Sequence, residues 1–213
     1  KRHLQSNFRE KVLKSQSCIA LAYWEGKLGL RRYSVALRPT IHEIYIFKKR
    51  SDWWTVRQLA KTRLQIREES LKSLHREFIA FPEEFSPNYV RETGRLLSYP
   101  ECCIEEYVKD RMSGTVVEIR LSGQLQTLRC AGSTLSPYPF FIKNFYPCRP
   151  NCQEAEKKGQ QFYETLNTLS PRLGEIYHTC LLENMRYIEN YEACLEAHRS
   201  DLERRLAGFS PPF

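Results

Sequence analysis

The stretch Tyr146-Pro147-Cys148-Arg149-Pro150-Asn151-Cys152, and the run from Gln153 to Ser170-Pro171 that follows it, decides how the chain is read. Asn151 is a good N-cap, and apolar residues at Ala155, Phe162, Leu166 and Leu169 recur at helical spacing, so Cys152 to Leu169 is predicted as a helix with those four facing inward. Ser170-Pro171 ends that helix and opens a second one to about Ala207, because proline is favoured at the first helical position. Along it, Leu181, Ile188, Leu195 and Leu202 lie seven apart, with Tyr177, Asn184, Tyr191 and His198 in a parallel row. Seven-residue spacing argues for packing against another helix. The simplest partner is the preceding helix in an antiparallel hairpin, and a separate protein or a second copy in a homodimer is the alternative.

Working outward, Ser136 to Pro150 carries four prolines and five aromatics, which reads as an ordered loop. Thr115 to Cys130 is ambiguous: Val116, Val117, Ile119 and Leu121 suggest a strand, with Ser122-Gly123 as its turn. Tyr99-Pro100 starts a helix from Glu101 to Met112, and Ser86-Pro87 starts one to about Leu97. Pro82 and Pro87 mark a domain boundary, giving lobes 1–80 and 81–213. In the first lobe a polar lead, Lys1 to Ser17, precedes three expected strands, Cys18–Trp24, Leu28–Leu37 and Ile41–Lys48. Turns at Glu25-Gly26-Lys27 and Arg38-Pro39-Thr40 would join them. A sheet that small needs a cover. Val56, Leu59, Ala60 and Leu64 supply a helical face behind the N-cap candidates Ser51 and Asp52, and Leu71, Leu74 and Phe78 extend it. The fold class is therefore α+β: a small antiparallel sheet with a covering helix, then a mainly helical lobe ending in a long helical hairpin.

The chain has 213 residues, and its net charge of +8 hides an asymmetry. Residues 1–76 hold 18 Lys/Arg against 6 Asp/Glu, a net of +12, and the remainder is −4. A basic lobe points to nucleic acid, RNA ahead of DNA, or to another acidic partner. Docking onto the acidic lobe and a plain solvated face are the other readings. Aromatics interleave with cations here as they do where bases stack and phosphates pair. Arg31, Arg32, Lys48, Lys49, Arg50, Trp53 and Trp54 are the candidate contacts, although the same aromatics would serve to fill a small core. No apolar run approaches the ~18 residues of a membrane helix, and no signal-peptide pattern opens the chain, so a cytoplasmic protein is expected. Phosphate-cradling glycine loops, G-x-S-x-G and H-E-x2-H are absent, which removes support for nucleotide hydrolysis, lipase-like and zinc-protease readings.

Eight cysteines divide into two sets. Cys102 and Cys103 follow Tyr99-Pro100, and Cys148 and Cys152 flank Arg149-Pro150-Asn151, each pair at an expected helix start. Unpaired N–H groups and the helix dipole there favour thiolate, the form that ligates metal or attacks electrophiles. Brought together, the four would make an all-thiolate site for zinc or an iron–sulfur cluster. Structural disulfides, a redox or transfer enzyme using Cys102/Cys103 and Cys148/Cys152, and inert buried thiols are the alternatives. A disulfide-stabilised interaction protein is the third functional class. Neighbours on a helix point about 100° apart, so Cys102 and Cys103 reach one centre only from an irregular first turn. Cys18, Cys130, Cys180 and Cys194 are scattered. Cys194 with His198, and Glu175 with His178, have ligand-like spacing but read better as packing or surface residues.

Leu96-Leu97-Ser98-Tyr99-Pro100-Glu101-Cys102-Cys103, with Pro147-Cys148-x3-Cys152 some forty residues on, resembles an archaeal and bacterial family known only as a domain of unknown function. Its pattern is Gly-Tyr-Pro-x-Cys-Cys, then His-x-Pro-Cys-x3-Cys-x2-Ser, over about residues 87–170. The resemblance implies that Cys102, Cys103, Cys148 and Cys152 form one site, and implies no activity. Here Ser98 stands for the glycine, Ala155 for the serine, and Phe145 or Asn144 lies at the histidine position.

Overall fold

The structure is a computed structural model that describes residues 15–38, 41–72 and 81–207. Among them are eight α-helices and a two-stranded antiparallel sheet, the α+β class expected. The chain divides into two compact units, Lys1–Leu97 and Ser98–Phe213. The expected boundary near residues 80–86 falls within the first of these.

The first described element is helix α1 (Gln16–Leu28), where a strand and a hairpin turn were expected. The reason lies at the two ends. Ser15 Oγ accepts a hydrogen bond from the Cys18 N–H, and Gly29, at φ 63, closes the helix in the left-handed conformation glycine tolerates best. Alternation over five residues cannot outweigh two good caps, and Gly26 is simply carried inside the helix. The sheet is therefore a hairpin rather than a three-stranded meander: β1 (Arg31–Arg38) pairs with β2 (Ile41–Phe47), placing Tyr33 opposite Tyr45 and Val35 opposite Glu43. The turn at Pro39-Thr40, the polar lead before Ser15, and Leu74 and Phe78 lie outside the described residues.

Helix α2 (Asp52–Lys72) covers both strands, as expected, burying Val56, Leu59 and Ala60, although Leu64 on the same predicted face is exposed. A short 3₁₀ turn (Pro82–Phe85) and helix α3 (Pro87–Leu96) pack against α2. The interior they enclose is ionic as well as apolar. Glu83 is buried and its Oε1 accepts from Arg63 Nε and Arg67 Nη2, each at 2.6 Å, while Arg63 also pairs with Glu43.

The second unit holds α4 (Glu101–Ser113), α5 (Val117–Cys130), a 3₁₀ turn (Tyr138–Phe140), α6 (Gln153–Leu169), α7 (Pro171–Glu189) and α8 (Tyr191–Ala207). The ambiguous stretch is helix α5: Val117, Leu121 and Leu125, four apart, are wholly buried, and Ile119, which alternation would have placed with them, is exposed. Their stripe meets Phe140, Met185 and Ile188. The hairpin is present as α6 against α7, but the long C-terminal helix breaks at Asn190, which separates α7 from α8. The inward face of α6 differs from the expected one. Ala155 and Gly159 are buried, whereas Phe162 and Leu169 are exposed. Gly159 explains the shift, since a Cβ there would lie 2.1 Å from the Tyr138 carbonyl oxygen. Backbone contact that close brings small residues inward and turns the large ones out.

Burial opposes ionisation of Glu83, but the hydrogen bonds from Arg67 and its own backbone N–H, with the charge of Arg63, outweigh it and hold the carboxyl below its usual range. A folded-state value below the unfolded one adds stability at neutral pH that disappears as pH falls through the lowered value. Glu83→Gln leaves two buried guanidiniums without their shared counter-charge and is expected to cost about 3–5 kcal/mol. Urea unfolding at pH 7 reads the loss, and at acid pH the gap between variant and parent should narrow.

Candidate metal centre

Two helix starts in the second unit face each other across one cluster. At the first, Pro100 occupies the N-cap of α4, and its carbonyl accepts from the N–H groups of Cys103 (2.9 Å) and Ile104 (3.0 Å). Cys102 and Cys103 thus fall in the first turn, the only part of a helix where neighbouring side chains can converge. Ser98, two residues before the cap, sits at φ 56, a left-handed conformation that favours glycine. Its carbonyl accepts from Lys158 Nζ of α6, which ties the two starts together.

At the second start, Cys152 itself is the N-cap of α6, and Asn151, the residue expected in that role, lies one position earlier. The Cys152 N–H donates to the Arg149 carbonyl at 3.1 Å, folding 148–152 into a tight turn between the buried Pro147 and Pro150. The Cys148 N–H donates to Cys103 Sγ at 3.4 Å. Arg120 on α5 fixes this turn from behind. Its Nη1 donates to the Cys148 carbonyl at 2.8 Å, and its Nε to both carboxylate oxygens of the buried Asp110 on α4, at 3.1 and 2.9 Å.

These anchors bring Cys102, Cys103, Cys148 and Cys152 together, with all four sulfurs within 4.8 Å of one another. Three of the sulfurs are in direct contact, at 3.9 Å for Cys102–Cys103, 3.7 Å for Cys102–Cys152 and 3.6 Å for Cys103–Cys152. A disulfide would need about 2.05 Å, and all eight cysteines are unpaired. Four thiolates at a Zn–S distance of ~2.3 Å in a tetrahedron lie ~3.8 Å apart. The three separations match one face of such a tetrahedron, and Cys148 lies within 4.8 Å of all three sulfurs, so the group could hold one ion. Cys103 and Cys152, 2% and 3% exposed, pack with Phe141, Phe145, Ala155 and Leu181, and Cys102 is exposed.

Helix position alone does not set the acidity of these thiols. Burial pushes Cys103 up, reinforced by the neighbouring sulfurs. Burial and the hydrogen bond with Cys152 push Cys148 up to about 12. At Cys152 burial acts the same way, but the Ala155 N–H and hydrogen bonds from the other three thiols outweigh it, and its pKa is lowered. Of the shifted thiols, Cys152 at the N-cap is the one whose thiolate form its surroundings favour.

The candidate nucleic-acid residues lie in the first unit. Arg31, Lys48, Lys49 and Arg50 are exposed, while Arg32 donates to Glu25 Oε2 at 2.7 Å. Trp53 is half-buried and Trp54 is 61% exposed, edge-to-face at 4.9 Å. The guanidinium of Arg57, which sequence reading missed, sits 5.1 and 5.8 Å from the two ring centroids. Cys194 and His198 are both exposed, as expected of surface residues.

Fold and site together define an α+β protein whose helical unit carries a four-thiol centre between two helix starts. The chain matches the family described as "Protein of unknown function (DUF483)" over residues 30–173, a span that includes all four cysteines, and it belongs to that family. No curated protein matches it, and no solved structure does.

Sequence reading did not find Arg120 or Asp110, because ten residues on separate helices leave no periodic signal. Arg120→Met leaves the Asp110 carboxylate buried and unpaired, with an expected cost of about 3–5 kcal/mol in unfolding free energy. Arg120→Met with Asp110→Leu should recover much of it, and a double-mutant cycle by urea unfolding measures the coupling.

Proposed function

We propose that Cys102, Cys103, Cys148 and Cys152 hold one zinc ion as the structural centre of the second unit, in a protein whose first unit associates with nucleic acid, RNA ahead of DNA. The observation that carries the metal half is the sulfur group itself: Cys102, Cys103 and Cys152 lie 3.6–3.9 Å apart, one face of a single-ion tetrahedron, and Cys148 is within 4.8 Å of each. A cubane cluster would place each thiolate on a different iron and spread the sulfurs wider. Closed four-thiolate coordination is the pattern of structural zinc, and the ion would supply cross-linking of α4 to the 148–152 turn. Eight unpaired thiols suit a reducing compartment such as the cytoplasm. Among the described residues no helix is long and apolar enough to cross a membrane.

Support for the nucleic-acid half is the net +12 of residues 1–76, with the exposed Trp54 ring beside the Arg57 guanidinium and the free cations of Lys48, Lys49 and Arg50. Rings stack on unpaired bases while cations meet phosphates.

Metal analysis of anaerobically purified protein should give one zinc per chain and no sulfide. Cobalt(II) in its place should show thiolate charge-transfer absorption that disappears on chelation. Because Cys103 and Cys148 hold their protons tightly, binding must expel them, so affinity should rise with pH between 6 and 8 and protons should appear in unbuffered titration. For the first unit, affinity for single-stranded RNA should fall with salt at a log–log slope of about −0.7 per phosphate neutralised. A slope near zero removes that half of the reading.

A further inference from the structure

We infer that Cys102 is an oxidation site, at which a peroxide-class oxidant converts the four-thiol centre into a Cys102–Cys152 disulfide that no longer holds metal. The inference rests on the metal reading above and concerns how that site is lost rather than what fills it.

Exposure and sulfur contact coincide at Cys102 and at no other described cysteine. Cys130, Cys180 and Cys194 are exposed, but the described sulfur–sulfur contacts all lie within the group of four. Cys103 and Cys152 are in contact but buried, and Cys148 is half-buried. An oxidant arriving from solvent therefore meets Cys102 first. Metal ligation keeps it a thiolate, the form that reacts, without closing its exposed side.

Three sulfurs lie within 4.8 Å of Cys102. Cys103 and Cys152 are the two in direct contact with it, and backbone geometry chooses between them. Cys103 is 3.9 Å away but is the next residue in a helix, where consecutive Cα atoms are about 3.8 Å apart, inside the ~4.4 Å minimum usual for a disulfide. The Cys103 sulfur is also engaged by the Cys148 N–H. Cys152, 3.7 Å away on the other helix start, has no such constraint.

The chemistry balances in two steps. The Cys102 thiolate attacks one oxygen of hydrogen peroxide: an S–O bond forms, the O–O bond breaks, and hydroxide leaves and takes a proton to become water. The Cys152 thiolate then attacks the sulfenic sulfur: an S–S bond forms, the S–O bond breaks, and the hydroxyl leaves with a proton as a second water. Two sulfurs give up two electrons and the peroxide accepts them. With two of four donors joined to each other, Cys103 and Cys148 cannot retain the ion.

The test uses the full-length, zinc-loaded protein under argon, treated with one equivalent of hydrogen peroxide and followed with a chromogenic zinc chelator. The expected result is zinc release in step with a loss of 2 Da (two hydrogens) per chain and a Cys102–Cys152 cross-linked peptide in the non-reduced digest. Dithiothreitol with added zinc should reverse both. In Cys152→Ser, dimedone should label Cys102 as the sulfenate, and Cys102→Ser should slow oxidation of the remaining three by at least about tenfold, whether or not that variant retains metal. Zinc release with the modification on Cys103, Cys148 or the outlying cysteines overturns the inference and leaves the metal reading standing. Reduced protein that takes up no zinc overturns the metal reading and this one with it.

Discussion

Sulfur atoms in contact but not bonded impose the main constraint on the second unit. Buried thiols 3.6 Å apart leave little room for water, and a second negative charge among them is opposed by the first. Neighbouring structure holds the four sulfurs in this contact. Pro100 and Ser98 set the entry to α4, Pro147 and Pro150 rigidify the opposing turn, and the Arg120 guanidinium joins that turn to Asp110 on α4. Tyr99, Phe141 and Phe145 stack their rings beside the sulfurs, with centroids 4.2–6.0 Å apart, closing the inner side.

The first unit solves a different problem. A two-stranded hairpin and one long helix bury few apolar side chains, and part of their interior is ionic: Arg63 between Glu43 and Glu83, with Arg67 beside it. Such a cluster is directional where hydrophobic contact is not. It ties β2, α2 and the 3₁₀ turn through two carboxylates, Glu43 and Glu83, on one guanidinium, Arg63. Outside that cluster, Arg31, Lys48, Lys49, Arg50 and Arg57 are exposed among the described residues.

Punctuation was the most legible part of the sequence. Ser-Pro at 86–87 and 170–171 and Tyr-Pro at 99–100 mark real helix starts, because proline's fixed φ and missing N–H suit only a few positions. The cysteine pairs were legible for the same reason. Short alternation was the least reliable signal: Cys18–Trp24 and Val116–Leu121 both alternate and both are helical, since caps in one case and a four-residue buried stripe in the other outweigh β propensity. The inward face of α6 was not legible, because the glycine that sets it acts through backbone contact with Tyr138. Arg120–Asp110 and Arg63–Glu83 were invisible for want of any local signature, being long-range pairs whose only sequence trace is a charge that looks solvated.

Cys152 holds two offices at once, as N-cap of α6 and as a member of the sulfur group. Its backbone opens α6, and α6 carries the Ala155–Gly159 face on which the Tyr138–Phe140 turn rests. The sulfur group, the start of the helix and the seat of that turn therefore share one short stretch of chain, and the position of Cys152 is common to all three.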